Sequence, residues 1–335
     1  MIIELSDDYL PEKILHRKEQ IKEIKKIFKN FKKNGMGTNL ALFGVTGSGK
    51  TCLIKKIIEE ENNAIYVSGS ETKTPFKTIK AIFNLNIKTY EELLRVTIKK
   101  LKENPKILVI DEIDKIKNFN QLANDLNTVY RKTMVPIIIV TLKRNIIEQM
   151  PSDVRKTLFF EKKNLPSYNA IELKEILTSR LKLIRNKFPG FDTGTINFIS
   201  AIASKQGSAR VLMNITLRCL QKNNFSRKFI SEMYNEMIKE DWLDFVNDIN
   251  ETEKQFLKVL LERCDYKNEV TSEILQKNMG GFSGARISQL INTFERYSVI
   301  KSRHENLGRA GGRRRLIKFE SKEGYSDINK MMRYN

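Results

Sequence analysis

The segment GVTGSGKT, residues 44–51, places glycines, a lysine and a hydroxyl at a spacing that can bind phosphate. It fits the pattern of a glycine, four residues and then Gly-Lys-Thr. Backbone N–H groups of such a loop wrap phosphates at the positive end of the helix that follows. Lys50 would reach the β and γ phosphates, and Thr51 would offer its hydroxyl to Mg²⁺. The candidate nucleotide ligands of this segment are Gly44, Val45, Thr46, Gly47, Ser48, Gly49, Lys50, Thr51 and Cys52.

A second run, KILVIDEID at residues 106–114, carries acids directly after four apolar residues. This is typical of a buried parallel strand that delivers carboxylates at its C-terminal end. Asp111 suits Mg²⁺, and Glu112 suits the base that orients an attacking water. Acids after a strand can also cap the next helix, and a glycine turn can occur by chance. Because the two signals occur together in one chain, we expect ATP or ADP with Mg²⁺ as the cofactors.

Three further apolar runs supply the strands that must position these groups. They are AIYVS from Ala64, PIIIVTL from Pro136 and TLFFE from Thr157. Together with the strand at residues 106–110, a strand in TNLALF just before the phosphate loop, and helical runs between them, they predict an α/β fold with a five-stranded, mostly parallel sheet of the doubly wound kind, which binds phosphate at its switch point. Residues 1–163 would form this base domain. Residues 164–248 read as helical throughout and would form a lid, and residues 249–335 would form a third domain.

The third domain is predicted to be a winged helix. NETEKQFLKVLLER, TSEILQKN and SGARISQLINTFERY each read as a helix with a polar cap, and VIKSR and RRLIKF flank a glycine-rich turn as a hairpin. The third helix would enter the major groove of double-stranded DNA, and most phosphate contacts would come from Arg309 and Arg313 at the hairpin tip. Winged helices also dock proteins, but a basic tip favours DNA. The candidate DNA contacts are Arg286, Gln289, Arg303, Arg309, Arg313, Arg314 and Arg315, with Ser283 and Asn292 on the same helix face.

The charge balance agrees with an anionic partner. Lys and Arg number 60 against 40 Asp and Glu, a formal net charge of +20, and such a surface attracts nucleic acid or anionic membranes. No apolar run is long enough for a membrane helix, and the first residues lack a signal-peptide pattern. We therefore expect a cytoplasmic, nucleoid-associated protein with no membrane partner. The three cysteines have no zinc-binding spacing and read as reduced thiols.

Four segments together carry a resemblance to a known family. They are YLPEKILHRKEQIKEI, YVSGSETKTPFKTIKAI, VIDEIDKI and GSARVLMNITLRCL. They resemble the AAA+ ATPases, and within them the archaeal replication initiators related to the eukaryotic origin recognition complex and its cell-division-cycle helicase loader. The resemblance implies that Leu10, Pro11 and Arg17 lie near the adenine. It also implies that Arg210 senses the γ phosphate from the start of its helix.

Two departures from the family pattern concern catalysis. Where the family ends its fourth strand with Ser-Asn-Asp, this chain has Thr141-Leu142-Lys143, so the water-orienting residue would be Thr141 or else Asn145. Asp153 stands where a candidate arginine finger would be, with Arg155 as a possible substitute. The resemblance therefore implies an ATPase that hydrolyses slowly.

The function implied by the resemblance is that of an origin-binding ATPase that helps recruit or load the replicative helicase, with self-assembly on DNA as a further possibility. One alternative is a phosphate-loop ATPase with a winged helix that acts as a signalling, defence or transcription switch. Another is a DNA-binding regulator in which nucleotide is only structural.

Overall fold

The structure is a computed structural model that describes residues 2–143, 146–184, 191–296, 299–306, 313–320 and 322–334. The chain divides into two compact units, Met1–Ile230 and Ser231–Asn335. The predicted limits of base, lid and third domain stay predictions. Among the described residues, no helix combines the length and apolar character needed to cross a bilayer.

A parallel five-stranded sheet with the strand order β2-β3-β4-β1-β5 organises the first unit. The residues of β1, β3 and β4 are buried throughout, as expected for parallel strands covered by helices on both faces. The predicted α/β fold is confirmed. The strands are β1 (Leu40–Phe43), β2 (Ala64–Ser68), β3 (Ile107–Asp111), β4 (Ile137–Thr141) and β5 (Glu161–Asn164).

The fifth strand was predicted in the wrong place. A helix, Ser152–Leu158, covers the start of the TLFFE segment, and the strand begins only at Glu161. Phe159, with a φ of 34°, ends the helix, and its side chain is exposed while its two neighbours are buried. The apolar run therefore covers the turn before the strand. The strand itself is polar because it lies at the sheet edge, where backbone pairing with β1 positions it.

Helices cover the sheet, and further helices follow its last strand along the chain. The main apolar core lies between the sheet and the helices that follow and precede its strands. A last helix, α11 (Arg227–Asp248), begins in the first unit and continues into the second. The other helices of the first unit are α1 (Lys18–Asn34), α2 (Lys50–Glu61), α3 (Gly69–Thr72), α4 (Pro75–Phe83), α5 (Tyr90–Glu103), α6 (Phe119–Thr133), α7 (Ser152–Leu158), α8 (Ala170–Ile184), α9 (Thr193–Ala203) and α10 (Ala209–Lys222).

The second unit contains the predicted order of three helices and a hairpin. Asn250 and Glu253 form a capping box at the first of these helices, as the sequence pattern suggested. Phe256, Phe294 and Phe319 are fully buried and join helices and hairpin in one core. A short strand, β6, and a final helix, α15, were not predicted. The elements are α12 (Glu251–Arg263), β6 (Val270–Thr271), α13 (Ser272–Asn278), α14 (Gly284–Arg296), β7 (Ile300–Asn306), β8 (Arg313–Phe319) and α15 (Lys322–Tyr334), with antiparallel strands in the order β6-β8-β7.

Candidate nucleotide site and nucleic-acid interface

The predicted phosphate loop lies between β1 and α2, at the C-terminal end of the central strands. Gly47 and Gly49 take left-handed φ values of 74° and 89°, which turn the chain back into the helix that starts at Lys50. The Lys50 Nζ donates to the carbonyls of Gly44 at 2.8 Å and Val45 at 2.9 Å. Burial lowers the pKa of Lys50 to about 8, although carboxylates nearby partly offset that effect. The loop thus holds the lysine amine against its own backbone carbonyls.

Asp111 ends β3 directly beside this loop and is almost fully buried. Its Oδ2 accepts from the Thr51 hydroxyl at 2.7 Å and from the Tyr66 hydroxyl at 2.9 Å, and its Oδ1 accepts from the Glu112 N–H at 2.8 Å. Burial raises the pKa of Asp111, and the hydrogen bonds counter this rise. Burial also raises the pKa of Tyr66, so its hydroxyl stays a proton donor. Sequence reasoning missed Tyr66 because only the strand order places β2 next to β3.

The two predicted metal ligands, Thr51 and Asp111, are brought together by this arrangement. One hydroxyl and one carboxylate oxygen fit Mg²⁺, which keeps several waters and takes its other ligands from substrate phosphates. Among the residues the structure describes, there is no cluster of three or more His, Cys, Asp or Glu side chains that could cage a metal. The donor set fits an ion shared with phosphates.

The acidic turn after β3 also reaches β4. Glu112 has a left-handed φ of 50° and is partly exposed. The Thr141 hydroxyl donates to Asp114 Oδ1 at 2.7 Å, and the Leu142 N–H approaches the same oxygen at 3.3 Å. Asp114, which sequence reasoning did not single out, therefore holds the hydroxyl that was expected to orient water. The alternative candidate, Asn145, lies outside the described residues.

Arg17 lies beside the phosphate loop. The residue is only 1% exposed, and its Nη2 donates to the carbonyls of Ser48 at 3.2 Å and Pro166 at 2.7 Å. Its guanidinium also stacks on the Tyr168 ring, 3.8 Å from the centroid. Arg17 thus fastens the phosphate loop to the segment that leads into α8, and its position near the adenine stays a prediction. The carbonyl hydrogen bonds and the aromatic contact offset part of the cost of burying this charge.

The other residues expected near the adenine are less deeply buried than Arg17. Leu10, Pro11 and Cys52 are each partly buried. Burial raises the pKa of the Cys52 thiol. Close to it lies Arg180 of α8, whose guanidinium covers the Tyr9 ring at 4.1 Å from the centroid. Arg180 was missed because nothing in its local sequence distinguishes it from a surface arginine.

Helix α10 meets the phosphate loop at its N-terminus. The Ala209 N–H donates to the Gly47 carbonyl at 3.0 Å, and the Ser208 hydroxyl caps the helix. A β-carbon at position 47 would lie 1.9 Å from Ser208 Oγ, so no side chain fits there. Arg210, in the first turn, lies near enough to influence Lys50 and pairs with Asp7, with 2.9 Å between Nε and Oδ2. The predicted sensor arginine is thus beside the loop, half-exposed.

The segment before α10 is fixed through another glycine. Gly207 has a φ of 62°, and its carbonyl accepts from the Tyr168 N–H at 3.1 Å. A β-carbon at Gly207 would lie 2.3 Å from the Ser167 β-carbon. Two glycines therefore allow the close approach between the loop, the segment before α8 and the start of α10.

In the second unit, the outer face of α14 is exposed as predicted. Ser283, Arg286 and Gln289 are exposed, and the Arg286 Nη1 donates to Gln289 Oε1 at 3.1 Å. Arg and Gln side chains can read base edges in a major groove. This helix face therefore carries the predicted residue types in an accessible position.

The hairpin arginines are more strongly paired than expected. Arg303 pairs with Glu269 at 2.8 Å, and Arg314 donates to Glu305 on the neighbouring strand at 2.6 Å. The Arg315 guanidinium donates to Glu295 at 2.6 Å and Asn292 at 2.8 Å, both on α14, and the residue's side chain is only 15% exposed. Arg315 thus holds the hairpin to the helix, and its contact with DNA, which would require it to leave these partners, stays a prediction. Arg309 and the side chain of Arg313 lie outside the described residues.

The sheet, the phosphate loop and the acidic strand end together define an ATPase domain of the AAA class, and residues 40–166 match the ATPase family associated with various cellular activities (AAA). The whole chain shows a more specific likeness. It is 30% identical to ORC1-type DNA replication protein 1 of Sulfurisphaera tokodaii, over 92% of this chain and 86% of that protein. It is 24% identical to ORC1-type DNA replication protein 2 of Thermoplasma acidophilum, over 92% and 85%. The chain belongs to the family of ORC1-type DNA replication proteins.

Solved structures support the same fold over the full chain. The Aeropyrum pernix ORC1 protein in complex with DNA has a TM-score of 0.64 at 17% identity, covering 100% of this chain and 96% of that one. The Aeropyrum pernix ORC2 protein in ADPNP-ADP complexes has a TM-score of 0.66 at 13% identity, covering 99% and 97%. At these identities the likeness concerns the fold alone.

Proposed function

We propose that this protein is an ATP-dependent initiator of DNA replication that binds origin DNA and helps recruit or load the replicative helicase. One observation carries the proposal. A single ORC1-type chain combines a phosphate loop beside Asp111 and Arg210 with a unit of three helices and a basic hairpin. The names of the relatives support it, since the Sulfurisphaera tokodaii protein is a DNA replication protein and the Aeropyrum pernix ORC1 protein was solved with DNA.

In this proposal the first unit works as a nucleotide switch. Lys50 and the loop N–H groups bind the phosphates, and Glu112 takes the proton of the attacking water. Thr51 and Asp111 would hold Mg²⁺, which neutralises charge on the phosphates when bound. Arg210 would replace its Asp7 partner with the γ phosphate and so make the position of α10 depend on the nucleotide. Residues 1–163 act as the base, and residues 164–248 act as the lid.

Turnover is expected to be slow. The Thr141 hydroxyl is engaged by Asp114, and Asp153 occupies the position expected for an arginine finger, so two contributions to water alignment and charge stabilisation are weak. We predict a rate well under the ~10 per second typical of enzymes. A multiple-turnover ATPase assay with origin DNA present measures this directly. Fast hydrolysis in that assay would contradict the prediction.

Residues 249–335 are proposed to bind double-stranded DNA as a winged helix. The exposed face of α14 would read bases through Arg286 and Gln289, while Arg309 and Arg313 near the hairpin tip would contact phosphates. Arg303 and Arg314 could add phosphate contacts only by leaving their glutamate partners. Further copies would assemble on the same DNA, and the protein would be found at the nucleoid in the cytoplasm.

Two sets of variants separate base reading from phosphate binding. Arg286→Ala should reduce the preference for origin over random DNA, because base edges carry the sequence information. Replacing Arg309 and Arg313 together with Ala should weaken binding to both DNAs and flatten the log–log salt dependence by roughly 0.9 for each phosphate that the variant no longer neutralises. Titrations of both DNAs over a range of salt measure both effects. Lys132→Ala, an exposed charge on α6, is the matched control and should bind like wild type.

A map of bound DNA in cells tests the function as a whole. An initiator should concentrate at one or a few sites where replication begins. Binding spread over many promoters would favour the alternative of a transcription or signalling switch. If the double hairpin variant keeps its affinity and salt slope in vitro, the third domain docks proteins instead of DNA.

A further inference from the structure

The carboxylate of Asp111 is oriented by more donors than the phosphate-loop motif supplies. An ionised carboxylate offers about four lone-pair positions. Thr51, Tyr66 and the Glu112 N–H occupy three of them, at 2.7, 2.9 and 2.8 Å. Thr51 and Glu112 belong to the two motifs themselves, whereas Tyr66 comes from a different strand. Tyr66 is therefore the only side chain outside the two motifs among the hydrogen-bond donors to Asp111 in the described part of the chain.

The sheet register places Tyr66 for this hydrogen bond. Ser68 lies opposite Asp111, and Tyr66 lies two residues earlier on the same strand, so both point to the face that carries Asp111. Ser68 is the nearer residue, but its hydroxyl forms a hydrogen bond with Ser70 at 2.9 Å. The longer Tyr66 side chain reaches diagonally across the strands instead. Its ring lies beside α2, with Lys55 Nζ 5.3 Å from the ring centroid.

We propose that Tyr66 is a positioning residue for magnesium, holding the Asp111 carboxylate in the orientation in which its remaining lone pair faces the ion. The inference rests on the proposed nucleotide function. When nucleotide binds, the oxygen of the Thr51 hydroxyl would ligate the ion. Tyr66 would then be the side chain whose hydroxyl contacts Asp111 alone and not the ion. Partners of this kind typically change metal affinity by 10- to 100-fold when removed.

The test compares two tyrosines that make the same kind of hydrogen bond. Tyr66→Phe removes the hydroxyl beside the proposed metal site and keeps the ring. Tyr90→Phe removes the hydroxyl that Tyr90 donates to Asp125, another buried carboxylate of the same unit that lies outside the site. Mn²⁺ replaces Mg²⁺ as the probe, and electron paramagnetic resonance counts free Mn²⁺ in the presence of full-length protein and ATP. A fluorescent ATP analogue in metal-free buffer measures nucleotide affinity separately, and thermal unfolding checks that each variant is folded.

Tyr66→Phe should weaken Mn²⁺ binding by roughly tenfold while nucleotide affinity in metal-free buffer stays at the wild-type value. Tyr90→Phe should leave both affinities unchanged. Thr51→Ala, which removes a proposed ligand, should weaken Mn²⁺ binding strongly. Wild-type Mn²⁺ affinity in Tyr66→Phe, with Thr51→Ala impaired, overturns the positioning role and leaves the proposed function intact. Equal losses of Mn²⁺ affinity in the two tyrosine variants also overturn it, because they show that removing either hydroxyl loosens the first unit as a whole. If Thr51→Ala has no effect, the metal site itself is wrong and the inference fails with it.

Discussion

Replacing Lys50 with alanine is expected to abolish ATP binding. The Lys50 amine is buried above the phosphate loop and held by two loop carbonyls, so it is already oriented when phosphate arrives. Lys50 would donate charge-assisted hydrogen bonds to the β and γ phosphates, and such bonds are worth about 1.5–3 kcal/mol each. Losing both should reduce ATP affinity by more than ~100-fold. A titration with a fluorescent ATP analogue measures the loss. Lys56→Ala is the control, since this lysine lies on the same helix but is paired with Glu59 outside the loop.

The same titration has a pH dependence that follows from burial. Because the pKa of Lys50 is lowered to about 8, the free protein loses this charge above that pH. Phosphate binds the charged form and raises the pKa, so binding must then take up a proton. Apparent ATP affinity should be flat below pH 8 and fall by up to tenfold per pH unit above it. Equal affinity in wild type and Lys50→Ala below pH 8, where Lys50 is charged, would refute the assignment of the loop.

Glu112→Gln is expected to keep ATP binding and to lose hydrolysis. Glu112 follows Asp111 at the strand end, but its side chain takes no part in the hydrogen bonds that join Thr51, Asp111 and Tyr66, so the amide should leave that network intact. Glutamine cannot accept the proton of the attacking water, and loss of a general base typically costs 10²- to 10⁴-fold. Single-turnover hydrolysis of radiolabelled ATP, beside an equilibrium binding measurement, separates the two effects.

A matched change at Glu71 provides the control for that experiment. Glu71 is an exposed glutamate of the neighbouring helix α3, and Glu71→Gln makes the same change of charge at a residue outside the two nucleotide-binding motifs. It should hydrolyse ATP like wild type. If Glu112→Gln retains the wild-type rate, the base is another group, and Asp114 is the next candidate because it lies on the same turn.

The sequence predicted what depends on local pattern. The phosphate loop, the acidic end of β3 and the capping box at Asn250 are each set within a few residues, where glycine conformation, apolar runs and cap chemistry are visible. The prediction for the strand after α7 was wrong because the position of that strand does not depend on a local pattern. Its position depends on backbone pairing with β1, and its exposed polar residues carry no period-two signal.

Interactions between distant segments could not be predicted. Tyr66 reaches Asp111 only because β2 and β3 are neighbours in the sheet, and Arg17 is buried because residues 48 and 166 present carbonyls to it. On the hairpin, strand alternation does put Arg314 and Arg315 on opposite faces. It could not show that Glu305 and Glu295 lie on those faces as partners.

The junction between α10 and the phosphate loop runs from backbone to backbone, through Ala209 and Gly47. Natural variation can therefore replace Ala209, which is partly exposed, without touching the hydrogen bond itself. Gly47 and Gly207 have no such freedom, because any β-carbon there meets a serine at under 2.5 Å. The junction therefore depends on two residues that lack a side chain, Gly47 and Gly207. Substitutions of the charged and polar residues around the junction can change how the protein responds to nucleotide while the junction itself persists.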